Sequence, residues 1–229
     1  MKAMILAAGR GERMRPLSDI IPKPLLKING ETLIERHIRR LALVGITEIV
    51  INISHLAEKI QHSLGDGAAY GVRIYYSYEP ELLETGGGIF QALPVLGEAA
   101  FLLVSGDIWT DYPFEQLPTL QDQLAHLVCV EDPVWNSAGD FQIEQQFLLP
   151  KNGGKTCTYG NIGIISPKLL VGCQSGKFRL GPLFHQASAQ KRLSGEIYYG
   201  AWHNIGSIDL YEAAQQSISS KRGSSELVR

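Results

Sequence analysis

A short loop near the start of the chain combines several cationic side chains with flexible backbone. It follows the continuously apolar stretch 3–8, and its notable residues are Gly9, Arg10, Gly11, Arg13 and Arg15. Guanidinium groups stay charged at physiological pH and need anionic partners or water. Glycines let the backbone approach a ligand closely, and successive N–H groups can bind phosphate. Phosphate binding is therefore the favoured prediction, and a solvated surface loop is the alternative.

A lysine held between two prolines follows this loop. Pro22-Lys23-Pro24 biases the backbone around Lys23 towards extended conformations. A fixed ammonium group close to a glycine loop is suited to directing positive charge at a phosphate. Lys23 is accordingly a second candidate for anion binding.

Asp107 comes directly after the strand predicted for 101–104, where an isolated carboxylate is costly unless it reaches solvent, a hydrogen bond or a cation. Magnesium is commonly held by one or two carboxylates together with substrate phosphates. In combination with a phosphate loop, Asp107 is predicted to be an oxygen ligand for Mg²⁺, with a turn or helix cap as the alternative.

Three consecutive glycines, 86–88, begin the helix predicted for 86–96. They could simply provide flexibility. The interpretation that we favour is that they leave the helix N-terminus uncovered, so that backbone donors can meet a base or a sugar hydroxyl.

Composition excludes several classes of function. The formal net charge of the 229-residue chain is −2, which gives no indication of nucleic-acid or membrane partners. No apolar run is long enough to span a membrane, and the three cysteines lack metal-binding spacing, so a cytoplasmic protein is expected. The three tryptophans are expected to pack in the interior rather than to form stacking platforms.

Strands and helices alternate along the first half of the chain, which predicts an α/β fold. We expect a doubly wound, mostly parallel sheet with helices on both faces and ligands at the carboxyl ends of its strands. Segment 140–165 is predicted to be a small β insertion whose short strands are joined by a turn at 151–155. A last strand is expected at 197–202 and a last helix at 207–219. The loop at 9–14 lacks the third glycine of the dinucleotide-binding fingerprint, so a dehydrogenase is not expected.

Four motifs occur in one order along nearly the whole chain. They are Leu6–Ser18 with Pro22–Leu25, Leu83–Gly87, Ser105–Asp107 and Trp202–Ser207. Together they resemble the signature of the sugar-1-phosphate nucleotidylyltransferases. The resemblance implies a Rossmann-like nucleotidyltransferase fold in a single domain over 1–229, with a nucleotide-binding half at 1–110, a sugar-binding half at 111–219 and a polar tail at 220–229.

The resemblance also implies a reaction and its substrates. An oxygen of a sugar 1-phosphate attacks the α-phosphorus of a nucleoside triphosphate in line, and pyrophosphate leaves without a covalent enzyme intermediate. The implied catalytic residues are Arg13 and Lys23. The implied nucleotide-binding residues are Ala7, Ala8, Gly9, Gly11, Glu79, Glu84, Thr85 and Asp107. The implied sugar-binding residues are Gly139 and Asn161, and the implied Mg²⁺ ligands are Asp107 and Asn204.

Asn204 departs from the pattern of the family, which usually has an acidic residue at this position. An amide oxygen can still bind Mg²⁺ but brings no charge. Weaker metal affinity, altered substrate choice and lost activity all stay open.

The substrate is predicted from smaller features. The short chain, the Glu-Thr-Gly-Gly-Gly run at 84–88 and the lack of a Glu-Lys-Pro triplet within 142–158 favour the branch that uses UTP and N-acetylmuramic acid 1-phosphate, in peptidoglycan recycling. The alternatives are a mannose-1-phosphate guanylyltransferase, a glucose-1-phosphate thymidylyltransferase or a weakly active regulatory protein that binds nucleotide sugars.

Overall fold

Strands and helices alternate over most of the chain in the computed structural model, which describes residues 1–226 and the side chains through Ser220. The strands are β1 (Ala3–Leu6), β2 (Lys27–Ile28), β3 (Glu31–Thr32), β4 (Glu48–Ile53), β5 (Arg73–Tyr78), β6 (Phe101–Ser105), β7 (Ile108–Thr110), β8 (Ala125–Val130), β9 (Phe141–Glu144), β10 (Phe147–Leu149), β11 (Thr156–Ile165), β12 (Leu193–Ile197) and β13 (Trp202–Asn204). The helices are α1 (Leu17–Ile20), α2 (Leu33–Leu43), α3 (Ala57–Leu64), α4 (Glu84–Leu96), α5 (Gly181–Ala189) and α6 (Ile208–Glu226).

The main sheet has nine strands in the order β5-β4-β1-β6-β11-β8-β12-β10-β9. The pairs β5–β4, β4–β1, β1–β6 and β8–β12 are parallel, and β11 runs antiparallel to both β6 and β8. Because β10 is antiparallel to β12 and to β9, only β10 and β11 among these described strands oppose the common direction. The predicted doubly wound, mostly parallel α/β sheet is confirmed.

Helices cover both faces of the sheet because its central strands are apolar on both sides. In β1, Ala3 and Ile5 pack towards α2 and α3, whereas Met4 packs towards α4 and α5. All three side chains are fully buried. Continuous apolar runs of this kind are typical of parallel strands that are covered on both faces.

A third, smaller apolar cluster joins the end of the chain to the loop that follows β1. Ala214 and Ile218 of α6 pack with Met14 and Ile205. The last described helix therefore supports the arginine-containing loop from outside the sheet.

Segment 140–165 differs from the prediction. The hairpin formed by β9 and β10 turns at residues 145–146, and β11 is a ten-residue strand inside the main sheet rather than part of an insertion. The 151–155 stretch is the exposed connection between β10 and β11. A change of register between Tyr159 and Ile162 interrupts the strand pattern of β11, and this bulge explains why one long strand resembles two short ones in the sequence.

The C-terminal part of the described structure also differs from the prediction. The strand expected at 197–202 is divided between β12 and β13, and α6 continues past the predicted end at Ser219 to Glu226. Residues 227–229 of the predicted tail lie outside the described residues. Within the described part of the chain, no helix combines the length and the hydropathy needed to cross a membrane.

A buried histidine connects α2 to β7. His37 is 1% exposed, and its Nε2–H donates to the carbonyl oxygen of Ile108 at 3.0 Å. Its Nδ1 atom is buried without a described hydrogen-bond partner. Burial lowers the pKa of His37 to about 4, because the charged imidazolium would lose its hydration.

We predict that this histidine makes the fold sensitive to acid. Between pH 6.5 and about 4 the unfolded chain takes up a proton that folded His37 does not, so the free energy of unfolding should fall by about 3 kcal/mol as the pH drops. The His37→Gln variant keeps a donor for Ile108 but cannot titrate in this range. Urea unfolding at pH 7 and pH 4.5 should show a smaller pH dependence for this variant; equal pH dependence in the two proteins would contradict the assignment.

Candidate active site

A cavity of about 370 Å³ opens at the carboxyl ends of β1, β4, β5 and β6; we call it the strand-end cavity. Its lining includes all the residues that the sequence predicts to bind a nucleotide, namely Ala7, Ala8, Gly9, Gly11, Glu79, Glu84, Thr85 and Asp107. Lys23 lines the same cavity. Residues from five separate segments thus meet at one edge of the sheet, although their contacts with a ligand stay a prediction.

A buried amide and a buried carboxylate join the segments behind this cavity. The Ala7 N–H donates to Asn52 Oδ1 at 2.8 Å, and Asn52 Nδ2 donates to Glu79 Oε1 at 2.7 Å. The second oxygen of Glu79 accepts from the Leu83 N–H at 3.1 Å. Asn52 is 3% exposed and Glu79 is 1% exposed. Both oxygens of Glu79 are therefore held by the protein, and its main effect is to position the cavity wall.

Asn52 is a residue of the site that the sequence analysis missed. It lies in β4 among isoleucines and valine, where an unpaired polar side chain would be costly. A polar residue inside an otherwise apolar strand was the available signal, because buried polar groups are almost always hydrogen-bonded.

The three glycines of α4 are required by close packing rather than by an open helix terminus. The N–H groups of Gly86 and Gly87 both donate to the Phe178 carbonyl oxygen, at 2.9 and 3.1 Å. A Cβ at Gly86 would collide with the Phe178 ring, and a Cβ at Gly88 would lie 2.9 Å from Asn52 Nδ2. The interpretation that Gly86 and Gly87 offer free donors to a ligand is wrong, because the segment around Phe178 already accepts those hydrogen bonds.

Lys23 and Asp107 form an ion pair at the edge of the cavity. Lys23 Nζ lies 3.3 Å from Asp107 Oδ2, and Ser105 Oγ donates to Asp107 Oδ1 at 2.7 Å. The Lys23 side chain is 11% exposed and that of Asp107 is 31% exposed. The lysine stem passes over Gly11, where a Cβ would lie 2.9 Å from Lys23 Cε and where φ is +67°. Glycine at position 11 therefore permits the turn and leaves room for the Lys23 side chain.

Arg13 and Asn204 lie next to each other beside Gly206. A Cβ at Gly206 would be 3.2 Å from Arg13 Nη2 and 3.6 Å from Asn204 Oδ1. In the ladder between β13 and β7, Asn204 is opposite Ile108, and the Ile205 N–H donates to the Asp107 carbonyl oxygen at 2.9 Å. The last motif of the sequence is thereby placed beside Asp107.

The three arginines of the loop lie in three different environments. Arg10 lines the strand-end cavity, Arg13 lies beside Gly206, and Arg15 pairs with Asp19 at 3.2 Å on the surface. Lys177, which also lines the cavity, is a cation that the sequence analysis missed, whereas Arg10 belongs to the loop predicted to bind phosphate. Lys177 lies between β11 and α5, far along the chain from the loop, so only the folded structure could bring it here.

The predicted sugar-binding residues, Gly139 and Asn161, are not part of the lining of the strand-end cavity. The N–H of Gly139 donates to the Asn136 carbonyl oxygen at 3.0 Å, and its own carbonyl oxygen accepts from Lys151 Nζ at 2.9 Å. Asn161 adopts φ of +60° in the bulge of β11. Their contacts with a sugar stay a prediction, and in Gly139 both backbone groups are already hydrogen-bonded within the protein.

A second cavity of about 340 Å³ includes Asn204, but neither Gly139 nor Asn161, in its lining; we call it the aromatic cavity. Its lining is Val130, Glu131, Pro133, Trp135, Tyr198, Tyr199, Gly200, Trp202, His203, Asn204, Leu210 and Ala213. Trp135 is 51% exposed. The expectation that every tryptophan packs in the interior is therefore wrong for Trp135.

The residues present are compatible with a magnesium ion. Asp107, directly before β7, and Asn204, in the adjoining strand β13, offer hard oxygen atoms, and the described residues contain no cluster of three or more His, Cys, Asp or Glu that could hold a metal alone. Magnesium sites that share their ion with substrate phosphates need only one or two protein carboxylates. The donor set therefore fits Mg²⁺ that is bound jointly with a phosphorylated ligand.

Comparison with known proteins gives consistent results. The family described as Nucleotidyl transferase matches residues 2–137. The chain is 46% identical over 224 residues to the N-acetylmuramate alpha-1-phosphate uridylyltransferase of Neisseria meningitidis serogroup B, covering 94% of this chain and 97% of that protein. It is 30% identical over 232 residues to the protein of the same name from Caulobacter vibrioides, covering 94% and 96%. A structure of a putative glucose-1-phosphate thymidylyltransferase from Bacillus anthracis superposes with a TM-score of 0.83 at 17% identity, covering 94% of each chain, and supports the fold alone.

We predict that the buried amide is essential for stability. The Asn52→Ala variant leaves the Ala7 N–H and Glu79 Oε1 without their partner, which should lower the free energy of unfolding by about 1–3 kcal/mol or more. The matched control is Asn152→Ala, which removes an exposed asparagine and should change stability by less than about 0.5 kcal/mol. Urea unfolding of the three proteins provides the comparison, and similar midpoints for both variants would contradict the role of the network.

Proposed function

The chain belongs to the nucleotidyl transferase family, and on this premise we propose that it transfers the uridylyl group of UTP to N-acetylmuramic acid 1-phosphate and releases pyrophosphate. The observation that carries the proposal is the meeting of Lys23, Asp107 and the glycine loop at the strand-end cavity. The choice of substrates is supported by two relatives that match over nearly their whole length and bear that activity in their names.

The nucleotide occupies the strand-end cavity in this proposal. A Cβ at Gly9 would meet no described atom within 4 Å, so the backbone at this position borders open space and can approach phosphate. Arg10 and Lys177 add positive charge to the lining. The Asn52–Glu79 network keeps the first loop and the start of α4 at a constant separation, which defines the space for the base and ribose.

Catalysis rests on positioning and on charge. An oxygen of the sugar phosphate attacks the α-phosphorus, and negative charge develops on the oxygens of the transferred group. Lys23 is held by Asp107 and by its packing on Gly11, so its ammonium is oriented before the substrates bind. Such preorganised charge stabilises a transition state without reorganisation during the reaction. Arg13, which lies beside Asn204, would contact the triphosphate at the α-phosphoryl group that is transferred.

Asp107 and Asn204 would hold Mg²⁺ together with the phosphates of the substrates. When bound, the ion supplies positive charge to the phosphate oxygens. Because Asn204 is neutral, the protein contributes one formal negative charge through this pair. The phosphates of the substrates must then supply more of the negative charge around the ion.

The product of the proposed reaction is a UDP-sugar of cell-wall metabolism. Its synthesis from a sugar 1-phosphate is consistent with peptidoglycan recycling in the cytoplasm, and neither a nucleic acid nor a membrane is needed as a partner. UTP and the sugar 1-phosphate are the proposed ligands.

We predict that pyrophosphate is released when the protein is mixed with UTP, Mg²⁺ and N-acetylmuramic acid 1-phosphate. The Lys23→Met variant keeps the apolar stem but loses the ammonium, and kcat should fall by roughly 100-fold or more. Lys27→Met, which changes an exposed lysine, is the matched control and should keep wild-type turnover. Turnover with GTP or dTTP but not with UTP would overturn the choice of nucleotide, and an active Lys23→Met enzyme would overturn the role of Lys23.

We also predict the direction of change at Asn204. The Asn204→Asp variant adds a second carboxylate next to Asp107, so the Mg²⁺ concentration that gives half-maximal activity should fall by about tenfold, or about 1.4 kcal/mol. Asn204→Ala should instead raise that concentration. Magnesium titrations of initial rates at saturating UTP provide the measurement; identical Mg²⁺ dependence in all three proteins would remove Asn204 from the metal site.

A further inference from the structure

The wall of the aromatic cavity carries apolar groups that are left in water. Trp135 lines this cavity and is 51% exposed, and its neighbour Val134 in the 3-10 helix Val134–Asn136 is 97% exposed but is not part of the lining. The Trp135 ring faces that of Trp202 at a centroid distance of 6.3 Å and an interplanar angle of 30°. Adjacent exposed apolar residues rimmed by polar groups commonly mark a binding surface.

Trp202 is a fixed part of this wall. Its Nε1–H donates to the carbonyl oxygen of Gly160 at 2.8 Å, in the bulge that also contains Asn161. Among the described residues, the Trp135 indole N–H donates no such hydrogen bond. The wall therefore combines one indole that is held by the backbone with a second, half-exposed indole.

The aromatic cavity adjoins the strand-end cavity at the proposed metal ligands. Trp202 and Asn204 are two residues apart in β13, so their side chains lie on the same face of the strand, and both line the aromatic cavity. Asn204 is paired with Ile108, the neighbour of Asp107, which lines the strand-end cavity. The two cavities thus meet at the ladder between β7 and β13.

This arrangement restricts where the second substrate can lie. In-line attack requires the incoming oxygen and the departing pyrophosphate to lie on opposite sides of the α-phosphorus. With the nucleotide in the strand-end cavity and its phosphates beside Lys23 and Asp107, the attacking sugar phosphate approaches from the Asn204 side. The sugar that follows the phosphate is then directed into the aromatic cavity.

The surface chemistry suits a sugar that bears methyl groups. A pyranose presents C–H groups on its faces, the acetamido substituent ends in a methyl group, and the lactyl substituent carries a methyl group beside its carboxylate; each of these apolar groups can pack on an indole. Glu131, the carboxylate on the rim, is paired with Lys155 at 3.4 Å, so the charge near the wall is partly balanced.

We propose that Trp135 is the specificity-determining wall for the sugar: its indole packs against the apolar face and the methyl-bearing substituents of the sugar 1-phosphate. Trp135 does not act on the reacting atoms. The proposal rests on the proposed function above, since it takes the nucleotide to occupy the strand-end cavity.

Steady-state kinetics test the proposal through the two Michaelis constants. For Trp135→Ala, the KM for N-acetylmuramic acid 1-phosphate should rise roughly 10-fold or more, because an apolar pocket contact of one or two methyl groups contributes about that much. The KM for UTP should stay unchanged, and Trp135→Phe should restore most of the loss. Val171→Ala, which removes an exposed valine elsewhere on the surface, is the control and should leave both constants unchanged.

Tryptophan fluorescence gives a readout that is independent of turnover. Titration with N-acetylmuramic acid 1-phosphate, without UTP, should change the emission of the wild type and of Trp109→Phe, and this change should be clearly smaller in Trp135→Phe, in which only Trp202 still reports from the cavity. This inference alone is overturned if the wild type turns over and Trp135→Ala has an unchanged KM for the sugar phosphate. It is also overturned if Trp135→Ala raises the KM for UTP as much as the KM for the sugar phosphate. A wild type that shows no turnover with these substrates overturns the proposed function instead.

Discussion

The arrangement of the site depends on one requirement: a buried amide and a buried carboxylate must have all their hydrogen bonds satisfied. Asn52 and Glu79 meet it by bonding to each other and to the N–H groups of Ala7 and Leu83. An unpaired member would cost about 1–3 kcal/mol, and more if charged. The ends of β1, β4 and β5 and the start of α4 are consequently held in one geometry, and Gly88 leaves room for the pair.

A second constraint concerns charge at the mouth of the strand-end cavity. Lys23 and Asp107 neutralise each other without substrates, and the aliphatic part of Lys23 rests on Gly11. This pairing holds a cation, Lys23, and an oxygen ligand, Asp107, at the same place. A polyphosphate would compete with Asp107 for Lys23, and a metal ion would compete with Lys23 for Asp107. A neutral Asn204 next to Arg13 leaves this region less negative than a second carboxylate would.

The two cavities differ in chemical character. The strand-end cavity is lined by backbone, small residues and side chains of both charges, including the cations Arg10, Lys23 and Lys177, which suit phosphates. The aromatic cavity is lined by indole and phenol rings, which suit the faces of a sugar. The short ladder of β7 and β13 lies between them, so the bond-forming atoms would meet where the two surfaces adjoin.

Residues close together in the chain were predicted well because their chemistry is local. The alternation of strands and helices follows from the hydrophobic pattern over a few residues. The extended backbone expected at Lys23 is wrong, because Lys23–Leu25 forms a 3-10 helix. Predictions were wrong where a short sequence pattern is compatible with more than one structure. The bulge near Asn161 concealed the length of β11, and the glycines at 86–88 looked open because Phe178, which covers them, is distant in sequence.

The sequence by itself determined the fold class, the order of the motifs and the residue types that could bind phosphate and metal, since these depend on composition and short-range periodicity. The tertiary structure alone decided which of them meet. Ala7 and Asn52 are 45 positions apart, and Lys23 and Asp107 are 84 apart. No local propensity specifies such pairs, because they form only when the packing of the whole sheet brings its strand ends to one edge.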